Sequence, residues 1–409
     1  MVTGCKKEGE GETSTTGGTT ATTASTTGSN ASNNGDARTG RPAPTSKGNT
    51  ASGDTVKLGL VASLNGELKP WGDDCEKGAK LAVEEFNAAG GVNGKKIDLM
   101  VADSASKPEQ GKSAAEKLIS DGAVGIIGEV ASGITLQMAN SCWDKGIPIV
   151  AVGATRTDIT DAGNNIFRVC YTDALQGPVM AKFAYDELGL RNIGLLTDKA
   201  QPYSTGLSDS FRAYFEKLGG KIVDEQFYES KQTQFGAQLT NLKAKNPDGL
   251  FLSGYFTEVG QIARQAVDAG LKVKLLGGDG WDSTELNSNG GAAIVGGYFC
   301  NHYNNDEARP EVQEFLKKWK AKYGGVPATT MGALGYDATL LMCDALKRAT
   351  ALDSASLIAA IEDTSDFKGV SGAITLKGMN GNPPKRALVV EVTATGQKFV
   401  KAYEASDVK

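Results

Sequence analysis

The chain has 409 residues, a length that suits two domains better than one. Apolar residues make up 40% and charged residues 22%, enough for a packed core over most of the length. A net charge of -5 leaves no footprint for nucleic acid or an anionic membrane face, and no run approaches the roughly 18–20 apolar residues of a spanning helix.

The chain opens Met1-Val2-Thr3-Gly4-Cys5, then Lys6, Lys7 and a Thr, Ser, Gly, Asn and Ala tract to about Asp54. Such a composition cannot bury enough surface to offset its ordering entropy, so residues 6 to about 53 are expected to be disordered. Val2-Thr3-Gly4-Cys5 resembles the end of a bacterial lipobox, in which small residues precede a Cys that is lipidated after cleavage. Met1 then stands where a hydrophobic signal region belongs. The expectation is a lipid-anchored Cys5 on a tether of about 49 residues, with a reach of roughly 35–42 Å as a flexible coil.

After Asp54 the pattern becomes regular. VKLGLVA (56–62) is a buried-strand run, and CEKGAKLAVEEFNAAGG (75–91) carries Ala79, Leu81, Ala82, Val83 and Phe86 at helical spacing before a Gly stop. Strand 95–103, helix 108–122, strand 123–130, helix 134–146 and strand 147–154 follow. The alternation restarts after NIFRVCYTDALQG (165–177) with helix 178–189, strand 192–198, helix 205–219, strand 221–228 and helix 235–246. Strand 248–255, helix 256–270, strand 273–280 and strand 296–303 complete the second series. Helices near 310–323, 331–350 and 354–363 precede strand-like GAITL (372–376) and RALVVEVTA (386–394). Alternation of this kind means α/β units, each a parallel sheet with helices on both faces.

Two such units sharing a C-terminal segment imply a chain that crosses between lobes more than once and closes about a hinge. The expected division is 1–54 as lipobox remnant and tether, 55–171 plus 302–373 as lobe 1, and 172–301 plus 374–409 as lobe 2. Of the six cysteines, Cys5 is set aside for the lipid. Cys75, Cys142, Cys170, Cys300 and Cys343 remain, an odd set without CxxC or metal-ligand spacing. Cys170 and Cys300 sit on apolar crossing runs and are expected to lie close together, as a bridge or as free thiols.

Enzymatic signatures are missing. His302 is the only histidine, no GxSxG elbow or GxxxxGK[ST] loop occurs, and no GxGxxG opens a helix after the first strand of either unit. His302 reads as a structural or surface histidine at a lobe crossing. No metal or cofactor is expected, and no catalytic residue.

Ligands of open α/β sheets bind beyond the carboxyl ends of the strands. Those ends carry Ser132, Gly153 and Thr155 in the first unit, with Trp71 nearby. Hydroxyls, a close-approach glycine and helix N-terminal N–H groups favour a carboxylate without a cationic side chain. The second unit offers Asp279 between glycines, suited to an ammonium, with Tyr203 and Tyr255 as apolar walls. A zwitterion with an uncharged side chain satisfies all of these; a dicarboxylate or phosphate needs a cation, and Arg156 is the one nearby candidate.

At these residues the chain resembles the branched-chain amino-acid-binding proteins of ABC importers, of the type I periplasmic binding protein superfamily. The likeness runs from about Val56 to about Tyr403. It rests on GAKLAVEEFNAAGGVNGKKIDL (78–99), IIGEVASG (126–133), GIPIVAVGAT (146–155), FRVCYTDALQG (167–177) and GQIARQAVDAGL (260–271) in that order. The resemblance implies carboxylate contacts at Ser132, Gly153 and Thr155, an ammonium contact at Asp279, and aromatic contacts at Trp71, Tyr203 and Tyr255. The disulfide of some relatives would fall on Ser106 and Ala131, so this chain lacks it. The implied protein is an extracytoplasmic, lipid-anchored, monomeric receptor that hands a small amino acid such as Leu, Ile or Val to membrane permease subunits. The alternatives are a sensor of the same fold for an amide, urea or aromatic acid and, from a different class, a His-independent enzyme.

Overall fold

The computed structural model describes residues 40–408. The first series of elements is β1 (Thr55–Ala62), α1 (Lys69–Ala88), β2 (Lys96–Asp103), α2 (Pro108–Ser120), β3 (Ile126–Ile127), α3 (Ser132–Lys145), β4 (Ile149–Ala151) and β5 (Ile166–Arg168). The second is α4 (Asp173–Lys182), β6 (Asn192–Asp198), α5 (Pro202–Lys217), β7 (Lys221–Tyr228), α6 (Gly236–Lys243), β8 (Gly249–Leu252), α7 (Phe256–Asp268), β9 (Lys274–Gly277), α8 (Thr284–Gly290) and β10 (Tyr298–Asn301). The chain ends with α9 (Pro310–Tyr323), α10 (Met331–Arg348), α11 (Ser354–Glu362), β11 (Phe367–Gly369), β12 (Gly372–Ile374), β13 (Ala387–Thr393) and β14 (Gly396–Tyr403).

The strands form two main sheets. One has five parallel strands in the order β2-β1-β3-β4-β5. The other has seven, β14-β13-β10-β9-β8-β6-β7, of which β6 to β10 run parallel while β13 and β14 pair antiparallel. Strands such as β4 and β8 are buried at every residue, as expected of parallel sheets covered on both faces. Proline near the first position starts α1, α2, α5 and α9, where its missing N–H costs nothing. A core of Leu81 and Ala82 with Phe315, Trp319 and Tyr336 packs α9 and α10 onto α1, so the late helices join the first sheet. β13 then returns beside β10 in the second.

Several expectations change. The run expected as strand over 123–130 is paired only at Ile126–Ile127, because the chain turns early to begin α3. The helix expected from 178 begins at Asp173 and closes in a wider turn over Phe183–Glu187. β5, β14 and α8 carry too little periodicity to be read from sequence. Cys75, Cys142, Cys170, Cys300 and Cys343 are all free, buried thiols. Cys170 Sγ lies 3.4 Å from the Ala154 carbonyl, and burial pushes its thiol up to about 12.

Residues 40–54, expected to be disordered, have a defined place in the structure. Cys5 and residues 6–39 lie outside the described residues, but 40–54 are bound along the first sheet. The buried Arg41 guanidinium donates to the carbonyls of Gly163 (2.9 Å) and Ile166 (2.8 Å) and pairs with Glu362 at 3.3 Å. Asn49 donates to the Ile119 and Ala123 carbonyls at 2.7 and 2.9 Å, and Ala51 N to Leu352 O at 2.8 Å. Gly146 ends α3 in the left-handed region, and a Cβ there would meet Ser46 O at 2.0 Å. Polar groups binding carbonyls hold this segment, which is why a reading based on apolar burial missed it.

Cutting the chain back to residue 54 should therefore lower its thermal unfolding temperature. Arg41→Ala alone should cost about 2–4 kcal/mol, since buried carbonyls lose a charged donor. An unfolding temperature unchanged by both alterations would show that the segment is a passive extension.

Candidate ligand-binding site

The parallel order brings the carboxyl ends of both sheets to a common cleft. From the first sheet, the turn after β3 presents Val130 and Ser132, the turn after β4 presents Gly153, and the first turn of α1 presents Trp71. From the second, Tyr255 precedes α7, Tyr203 stands in the first turn of α5, and Asp279 and Gly280 form a short turn after β9. With Met331 these residues line one narrow cavity, closed down to a volume of about 10 Å³. It thus gathers Trp71, Ser132, Gly153, Tyr203, Tyr255 and Asp279, six of the seven residues expected. Thr155 does not line it. Its hydroxyl lies behind the wall, 3.4 Å from Gln176 Nε2, and its carbonyl accepts from Asp173 N at 2.8 Å.

The first wall is built on Glu129. Its fully buried carboxyl accepts from Ser63 Oγ (2.6 Å), Ser104 Oγ (2.9 Å), Val130 N (2.8 Å) and Ala131 N (3.0 Å). Burial raises its pKa, opposed by these donors. They tie the end of β1 to the start of α3 and so set Ser132, whose Oγ accepts from Arg156 N at 3.2 Å. A Cβ on Gly153 would meet Met331 Sδ at 2.6 Å and the Val130 carbonyl at 3.0 Å, so a larger residue there would displace the Met331 side chain. The Arg156 guanidinium turns away to Asp158 (2.7 Å) and the Pro202 carbonyl (3.0 Å), leaving no arginine or lysine among the lining residues.

The second wall is aromatic and acidic. Tyr203 and Tyr255 stack at 5.2 Å, and Trp71 meets Tyr255 edge-on at the same separation. Trp71 Nε1 also donates to the Asp282 carbonyl at 2.6 Å, so the two walls touch. Asp279 is buried, with Oδ1 2.9 Å from Gln176 Nε2 and Oδ2 3.0 Å from His302 Nε2. Gln176 Nε2 also donates to Asp173 Oδ1 at 2.7 Å, and Gln176 Oε1 accepts from Asp279 N at 3.1 Å. His302 is therefore no surface residue; it is buried and stacked on Tyr171 at 4.0 Å. Sequence reading missed Asp173, Gln176, Glu129 and Met331. The crossing motif FRVCYTDALQG contained two of them, but nothing in its spacing pointed at Asp279.

Burial, then the charge of Asp279, raises the Asp173 carboxyl to about 7. Among the described residues no group of three or more His, Cys, Asp or Glu is placed to hold a metal ion, and no helix is long and apolar enough to cross a membrane. A larger, more open cavity bordered by Asn304, Thr329 and Gln397 contains none of the seven expected residues.

A folded-state pKa raised from 3.8 to about 7 means that the native protein holds a proton the unfolded chain gives up. The Asp173 contribution to stability is therefore full below about pH 4 and falls as pH rises through 7. Asp173→Asn removes that slope. Relative to the parent, the variant should gain on the order of 3 kcal/mol between about pH 4 and 8, read from denaturant unfolding. Parallel pH profiles would refute the assignment.

A family model described as periplasmic binding protein matches residues 55–397. Leu/Ile/Val-binding protein homolog 3 of Brucella melitensis is 32% identical over 325 residues, 78% of this chain and 86% of the relative. The crystal structure of the leucine-binding protein LivK from Thermotoga maritima superposes with a TM-score of 0.81 at 32% identity, covering 86% of this chain and 100% of that one. LivJ from Streptococcus pneumoniae, solved with isoleucine, gives 0.79 at 29% identity, covering 86% and 99%. The chain belongs to the periplasmic binding protein family and has the type I fold of its solved relatives.

Proposed function

We propose, proceeding from that membership, that this extracytoplasmic solute-binding protein captures a small amino acid, branched-chain Leu, Ile or Val, and delivers it to an ABC transporter permease. The observation that carries the reading is the opposite polarity of the two cavity walls. Ser132 begins α3, whose N-terminal N–H groups and dipole favour a carboxylate. Asp279 faces it from the other sheet as a buried acid suited to an ammonium. Val130, Met331 and the aromatic rings between them suit an aliphatic side chain. Gly153 belongs to the carboxylate wall, and Thr155 joins it if its hydroxyl turns inward when the walls part. Trp71, Tyr203 and Tyr255 supply contact area.

In this reading lobe 1 comprises 55–171 with 302–373, lobe 2 comprises 172–301 with 374–409, and the ligand favours the closed arrangement by touching both. Cys5 carries the lipid that keeps a monomeric receptor at the membrane. The names of the relatives, Leu/Ile/Val-binding and leucine-binding, support the ligand class. A thermal-shift screen over the standard amino acids, urea, short amides and benzoate tests it, because a ligand of the native state raises stability by RT ln(1 + [L]/Kd). A shift with urea or benzoate and none with any amino acid would transfer the protein to a sensing or aromatic-acid role.

Calorimetry on two variants tests the polarity. Asp279→Ala leaves a desolvated ammonium unpaired, at about 3–5 kcal/mol, so affinity should fall on the order of a hundredfold or more. Ser132→Ala should cost about 0.5–1.5 kcal/mol, because backbone donors remain. Near-parent affinity in Asp279→Ala would place the ammonium elsewhere.

A further inference from the structure

Next to Asp279, Asp173, Gln176 and His302 form a buried polar group that is not itself among the proposed ligand contacts. One carboxamide bridges two acids there. Gln176 Oε1 accepts the Asp279 N–H, which fixes the amide so that its Nε2 must point at both carboxyl groups. The Thr155 hydroxyl is the other neutral group at the Asp173 carboxyl, and His302 Nδ1 is buried without a hydrogen-bond partner. A ring with Nδ1 unpartnered is accommodated as the tautomer that donates from Nε2 to Asp279. Among the described hydrogen bonds, neither acid receives one from an arginine or lysine side chain.

We propose that Asp173, Gln176 and His302 act on ligand capture through Asp279, and that an amino acid arriving at Asp279 expels a proton held by Asp173. This rests on Asp279 being the acceptor of the ligand's ammonium. Two buried carboxyl groups joined through one amide are costly to ionise together, and the side chains that donate to Asp173, those of Gln176 and Thr155, are both neutral. The proton therefore resides on Asp173 in the empty protein. An ammonium at Asp279 adds positive charge on the far side of the Gln176 bridge and favours the ionised form of Asp173. Its proton passes to the solvent, and no covalent bond in protein or ligand changes.

The other charges facing Asp173 are already engaged. Arg168 donates to the carbonyls of Ala154, Arg156 and Thr157, and Arg156 is paired with Asp158. Tyr171, Tyr203, Cys170 and Cys300 stay protonated near neutrality, because burial pushes each of them up. Gln176 and His302 are positioning residues: they hold the acid that meets the ligand.

Titration of L-leucine into the full chain near pH 7, in buffers of different ionisation enthalpy, counts the protons exchanged. The expected result is release of a substantial fraction of a proton per leucine, with Kd falling about three- to tenfold from pH 6 to pH 8. Asp173→Asn should abolish both the release and the slope, while His302→Gln keeps the release. Should Asp173→Asn fail to fold, the buffer series on the unaltered chain still decides. Leucine binding without proton release, binding with uptake, or release that persists in Asp173→Asn overturns this inference and leaves the amino-acid reading standing. Failure of every standard amino acid to bind overturns both.

Discussion

Burying a carboxylate between two closing surfaces is costly unless hydrogen-bond donors are fixed around it in advance. The surroundings of Asp279 are organised by that requirement. Three distant segments meet there: the turn after β9, the first turn of α4, and the crossing after β10 that carries His302. The turn itself is pinned residue by residue. Gln176 accepts from Asp279 N, Tyr203 Oη accepts from Gly280 N at 2.9 Å, and Trp281 Nε1 donates to the Leu252 carbonyl at 2.9 Å. The acid is thus held in one position by donors from three segments.

The same turn also leads into the contacts that join the two sheets. One residue past it, Asp282 accepts the Trp71 indole at its carbonyl and Thr330 N at its carboxylate, 2.6 Å in each case. Asn301 and Gln397 donate to the other carboxylate oxygen at 3.1 and 2.7 Å. Asp282 therefore ties the second sheet to α1 and to the start of α10, which pack on the first. The exposed ion pair of Glu67 with Lys231 (3.2 Å) also spans the two sheets, but a surface pair is worth at most about 1 kcal/mol. Burial of Trp71 against Tyr255 and Phe256 is the larger contribution.

How much of this the sequence carried depends on distance along the chain. The alternation of buried strands and amphipathic helices was legible because its period is local, and the strand-end residues that line the cavity followed from it. Gln176 and Asp279 are 103 residues apart, and no periodicity relates them. His302 looked idle for the same reason; its role depends on a crossing segment that lies against the site only once both sheets have formed. The segment from Gly40 was hidden differently, because Arg41 and Asn49 bind carbonyls and leave no apolar pattern to read.

On the proposed reading, these arrangements also determine what the site rejects. A neutral amide or a simple carboxylic acid would meet Ser132 and the rings well enough, yet bring nothing to Asp279. The acid would then be sealed in with its amide and imidazole donors but without a counter-charge, a penalty of several kcal/mol once water is excluded. A dicarboxylate would add a second anion against Asp279 and find no free cation, because Arg156 is committed to Asp158 and the Pro202 carbonyl. Specificity for a zwitterion then follows from unmet charge in the wrong complexes as much as from contacts in the right one. Asp173 acts in the same direction: only a ligand bearing a positive charge makes it favourable for the buried proton to leave.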